Sequence, residues 1–293
     1  MLTLSARPLV RWLLGIAAAL VVLHLLTAYV VRVTGHDHVF GFAGMFNLDA
    51  EQNATTWFAS MLHLGAATLL TLAGIQARAT QMARRRFWFV LAAIFAFFSF
   101  DEFVSFHENG IGLMRHMRQF SDVFYFAWVV PGAAFVGAVA VASIGFLRAL
   151  PRETAVAFVV SGALFVAGAL GMEMVGGGYA ADAVRAGDAD YRTDVAYTLF
   201  ILIEEGLEML GVILFIGATT RHVASGPAFA VGFASGASGS GAESAGRAGV
   251  SSRRIAPLGM PRPAIEPLRA GARGTDIPVA SPLPVREGGD YRA

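Results

Sequence analysis

Seven acids lie within long apolar stretches of the chain: Asp101, Glu102, Glu108, Glu173, Glu204, Glu205 and Glu208. A charge at the centre of a bilayer costs at least about 2.5 kcal/mol, so acids in such places mark a site more often than a packing accident. Their spacing brings them together. Glu204 and Glu208 are four residues apart and Glu205 and Glu208 three, which puts all three within an arc of about 100° on a helix. Asp101, Ser105 and Glu108 share another face, with Glu102 about 100° further round. Carboxylates this close repel one another unless protons are shared, a cation is bound or arginine intervenes. Arginine is scarce at that depth, and only those of the flanking loops could reach in. The chain has no cysteine, which excludes thiolate metal sites, thiol nucleophiles and disulfides. Oxygen and imidazole ligands suit a divalent cation such as zinc, manganese, magnesium or iron. Asp101, Glu102, Glu205, Glu208 and His63 are the candidate metal ligands, with Glu108 or Glu204 as general base for a metal-bound water.

Other polar residues carry two readings each. Asp49 and Glu51 precede an apolar stretch, where acids favour a helix N-terminus; Asp49 reads as a cap, and Glu51 could equally complete the acid cluster. His24 and His63 are single histidines on apolar helices, at a depth matching the acids, and are either packed and hydrogen-bonded or ligands. Ser99 reads as a helix hydroxyl satisfied by a backbone carbonyl rather than a nucleophile.

The elements that must position these groups are membrane spans. Hydrophobic residues make up 56% of the 293 and charged residues 15%, against about 25% charged in soluble domains. Stretches near 9–33, 54–77, 87–108, 122–147, 154–177 and 195–220 each suffice for a bilayer core of about 30 Å. The fold expected is an all-α polytopic bundle of six spans over 1–222, with a disordered tail over 223–293 rich in Gly, Ser, Pro and Arg. Arg7 and Arg11, Arg78 and Arg84 to Arg86, Arg148 and Arg152, and Arg221 fall on one side of successive spans, which makes that side and both termini cytoplasmic. Loops 34–53, 109–121 and 178–194 then face outward. Glu204, Glu205 and Glu208 come out roughly 14 to 20 Å below the outer end of the last span at 1.5 Å per residue. The inner halves of the spans hold no ionisable residue, so the site faces one side. Pro131-Gly132 reads as a kink in the fourth span.

The run Phe46-Asn47-Leu48-Asp49-Ala50-Glu51-Gln52-Asn53 with Thr56-Trp57-Phe58, together with Ser99-Phe100-Asp101-Glu102 and His107-Glu108, resembles a family of bacterial inner-membrane proteins with no established activity, over residues 9–220. The resemblance implies a polytopic helical fold. The residues themselves point to a metal-dependent hydrolase acting on a lipid or lipid-linked substrate from the outer leaflet. A proton-coupled or divalent-cation transporter, or a non-catalytic sensor or assembly factor, remains open beside it. Membrane lipid is the expected partner, and nucleic acid is not expected.

Overall fold

The computed structural model describes residues 5–36, 38–79, 85–105, 124–188 and 190–227. These are helical, with no strand among them: α1 (Ala6–Thr34), α2 (Phe42–Met45), α3 (Ala54–Ala79), α4 (Arg85–Val104), α5 (Val129–Leu147), α6 (Arg152–Val166), a π-helical turn (Ala167–Met172), α7 (Glu173–Ala186) and α8 (Val195–Ser225). All lie in one compact unit, residues 1–233. The loop expected over 109–121 and the tail expected over 223–293, apart from its first five residues, lie outside the described residues.

Among the described residues, five helices are long and apolar enough to cross a membrane: Ala6–Thr34, Ala54–Ala77, Arg85–Val104, Val129–Leu147 and Arg152–Ala186. The surface they present fits lipid, with Trp12, Phe103 and Val141 exposed. The last element, α8, is long enough at 31 residues, but Glu204, Glu205 and Glu208 make its first half too polar for a lipid-facing helix. Packing resolves this. α8 touches α1, α3, α6, the π-turn and α7, and buries Met209, Val212, Ile213, Phe215 and Ile216 among them. A helix enclosed by other helices can carry carboxylates that a lipid-facing one could not.

Several boundaries differ from the sequence expectation. The helix begun at Arg152 does not stop at Gly177 but runs on to Ala186, so the loop expected over 178–194 shrinks to a short turn ending in a 3-10 segment, Tyr191–Thr193. α4 ends at Val104, and Ser105 has φ +55°, so no regular helical face extends from Asp101 to Glu108. α5 begins at Val129, which puts Pro131 in its first turn, where a missing N–H costs nothing. It is therefore a helix start and not a mid-span kink.

The half of the bundle remote from these loops is packed mainly with apolar and aromatic side chains. Trp88 packs edge-on against Phe146 at 4.8 Å between ring centroids, and Phe215 lies 4.4 Å from Phe158 and 4.8 Å from Phe95. Leu70 and Ile213 are fully buried beside them.

Candidate functional site

At the other end of the bundle the helices enclose a cavity of about 760 Å³. Eight carboxylates line it: Asp49, Glu51, Asp101, Glu102, Glu173, Glu204, Glu205 and Glu208. Elements distant in sequence deliver them. The stretch between α2 and α3 supplies the first two, the end of α4 the next two, the first residue of α7 one and α8 three. Asp101 and Glu102 both reach the cavity although they point about 100° apart, because it wraps around the end of α4. His63 of α3 completes the polar set. Glu108 lies outside the described residues.

Aromatic side chains share the lining with the acids: Phe97 and Phe98 of α4, Tyr125, Phe126 and Trp128 before α5, and Phe135 within it. Trp128 is fixed at both ends. Its indole Nε1 donates to Glu173 Oε1 at 3.1 Å, and its ring lies over Gly132, where a Cβ would come within 2.9 Å of it. The Glu204 side chain meets Glu173 in the same corner. Carboxylates in contact repel one another unless a proton or a cation compensates them.

The π-turn sets the approach of α6 and α7 to α8. At Gly168 a Cβ would stand 2.7 Å from the Glu204 carbonyl oxygen and 2.8 Å from Glu208 Cγ. The absent side chain thus lets the turn close directly over these two glutamates. π-Turns are uncommon and recur at functional sites.

One cation reaches the acids. Arg192 is the only Arg among the described residues that line the cavity, and the chain has no lysine. Its Nη1 lies 2.8 Å from Asp49 Oδ2, and Tyr197 donates to Asp49 Oδ1 at 3.2 Å. Burial opposes the charge on Arg192, but the Asp49 carboxylate and the neighbouring Tyr197 and Tyr191 hydroxyls outweigh it and hold the guanidinium above its ordinary range. Asp49 therefore does not cap α3. That task falls to Asn53, whose Oδ1 accepts from the N–H groups of Thr55 at 2.8 Å and Thr56 at 3.1 Å. The Asn53 Nδ2 also donates to the carbonyls of Asn47 and Ala50, which shapes the loop carrying Asp49. Glu51 takes the second of its two expected roles and lines the cavity.

The histidines separate. His24 does not line the cavity; its Nδ1 accepts from the Leu48 N–H at 3.2 Å and so anchors the loop beside Asp49. His63 is 2% exposed and packs against Phe95, Phe98 and Phe165. Its Nδ1 lies 3.0 Å from the Ala59 carbonyl, which fixes the proton on that nitrogen. Nε2, with the lone pair, is buried without a hydrogen-bond partner. Ser99 is satisfied as expected of a helix hydroxyl, although by a side chain, with Ser60 Oγ 3.0 Å from its own.

The expected metal ligands Asp101, Glu102, Glu205, Glu208 and His63 thus share one cavity. They line a chamber and do not close on a point. Among the described residues, no three His, Asp or Glu side chains are grouped so as to hold a metal ion.

The model of a domain of unknown function, DUF8692, matches residues 13–223. The chain belongs to this family. The DUF8692 match takes in every described residue of the cavity, from Leu48 to Glu208. No curated protein and no solved structure matches the chain.

Proposed function

We propose that this protein is a six-span protein of the bacterial inner membrane that takes a cation into an outward-facing carboxylate cavity and releases protons as it does so. The observation that carries this reading is the ratio of charges among the described residues: eight carboxylates and one arginine line one cavity. A cation entering such a site replaces protons as the compensating charge. The width of the chamber suits a polyatomic or hydrated cation better than a bare ion held by direct ligands. Proton-linked cation exchange across the membrane follows if the apolar packing around Leu70, Trp88 and Phe215 opens in turn, as alternating access requires. α8 is the sixth span, and the arginine-rich side, with both termini, is cytoplasmic.

The test is proton release from purified protein in weakly buffered detergent. Manganese(II), ethylammonium and spermidine are added in turn while a pH dye is followed and binding is measured by calorimetry. At least one of the three is expected to bind and release protons, and Glu204→Gln to reduce the release. Failure of all three to bind, or binding without proton release, rejects the reading.

A second reading is favoured by His63. A neutral imidazole with a bare Nε2 at the wall of an acid cavity is the form that ligates divalent metals. With Asp101, Glu102, Glu205 and Glu208 drawn inward, it would hold a metal ion for hydrolysis of a lipid-linked substrate, with Glu204 as base. Stoichiometric metal in the purified protein, lost on His63→Ala, would separate this reading from the first.

A further inference from the structure

At the end of the bundle opposite the carboxylate cavity, α6 and α8 leave a second hollow, of about 700 Å³. The two helices touch closely nearer the middle. A Cβ on Gly211 would stand 2.7 Å from the Phe165 nitrogen and 2.8 Å from the Ser161 carbonyl oxygen. Beyond that contact, towards Arg152 and Arg221, lies the groove. Its walls are Val156, Ala157, Val160 and Leu214, and its far rim carries Arg152, Glu153 and Arg221. Val156 and Val160 are 53% and 49% exposed, so the apolar floor is open.

We propose that this groove is a binding site for a single anionic phospholipid of the phosphatidylglycerol type. Three features of the groove select that occupant. Most of the floor lies on α6, which is part of a helix long and apolar enough to cross a membrane, where an acyl chain is the available apolar ligand. The rim lies at the ends of both helices, where headgroups sit. Two arginines against one glutamate leave the rim one positive charge in excess (2 − 1 = 1), which matches a headgroup with one negative charge. Neither arginine has an ion-pair partner among the described residues. Arg152 is also the first residue of α6, so the first-turn N–H groups and the positive end of the helix dipole lie beside it. Glu153 shares that rim and favours a phosphate carrying no second negative group. The proposal is independent of what the carboxylate cavity binds.

The test uses the full chain, delipidated in neutral detergent, with its thermal midpoint followed as lipid is titrated into the micelles. Phosphatidylglycerol is expected to raise the midpoint in a saturable way, while phosphatidylcholine and inorganic phosphate do not. The double variant Arg152→Gln/Arg221→Gln is expected to weaken the response about tenfold or more. Val160→Trp, which fills the exposed floor and leaves both arginines in place, is expected to abolish it. The arginines outside the described residues are unchanged in both variants, so they cannot account for a difference. An equal response to phosphatidylcholine, reproduction of the effect by phosphate, or a full response in either variant overturns the proposal.

Discussion

At the scale of single residues, the loop beside the cavity is tied by one arginine, Arg192, that lies between the last two helices. Arg192 meets Asp49 across 143 residues of chain. Asp49→Asn and Arg192→Gln should each loosen the loop, but their coupling in a double-mutant cycle should stay below about 1 kcal/mol, because the Arg192 side chain is 55% exposed and water screens the pair. Denaturation of the solubilised single and double variants measures this. Raising the pH should not weaken the contact from the arginine side. A group whose folded pKa is raised loses its contribution only as pH rises through that value, and Arg192 is raised above an already strongly basic guanidinium, beyond working conditions. The carboxylates themselves were legible from spacing and depth, since helical rise alone carries Glu204 to Glu208 to a common level. The Arg192 contact was not, because it depends on how two loops meet. Nor was the cap: Asp49 and Asn53 both suit a helix start, and only the position where α3 begins decides between them.

At the scale of elements, close approach of α6 and the π-turn to α8 holds the glutamates in place. Gly168→Ala and Gly211→Ala should each destabilise the protein by about 1–3 kcal/mol, since backbone atoms stand where the new methyl must go. The first should also impair cation binding, because Glu204 and Glu208 form its contact. Gly162→Ala, where nothing lies within 4 Å, should be neutral or slightly stabilising. Thermal unfolding of the three variants, with calorimetry of ligand binding, distinguishes these outcomes. Five of the six expected apolar stretches correspond to helices long and apolar enough to cross a membrane, and they were readable because bilayer thickness dictates their length. Their ends were less so. The fifth stretch is expected to end near Gly177, yet α7 continues through Gly176-Gly177-Gly178, and Gly177 seats Phe126, whose ring lies 3.1 Å from where a Cβ would be. The π-turn has no sequence signature, because an extra residue in a helix leaves the apolar pattern of a span unbroken.

At the scale of the whole molecule, the acids and the exposed arginines of the groove occupy opposite ends of one bundle. The near-neutral total of +1 conceals that separation. The absence of cysteine makes the proposed orientation directly testable. Single cysteines placed at His36 and Asp188 should react with a membrane-impermeant maleimide from the periplasmic side of spheroplasts, and cysteines at Arg148 and His222 only after lysis. Labelling of all four from one side would refute six spans. The aromatic packing around Trp88 and Phe215 occupies the half of the bundle away from the cavity.

The π-turn has one more consequence, for the phase of everything that follows it. The additional residue among Ala167–Met172 advances the rest of the helix by about 100° relative to a regular continuation. Glu173, the next residue, meets Trp128 and Glu204 only because of that advance. Removing one residue from the turn would restore ordinary winding and swing Glu173 about a quarter-turn away from Trp128 and Glu204. A single-codon deletion there would do to the site what no substitution at Glu173 does: leave every carboxyl present and disconnect them by rotation.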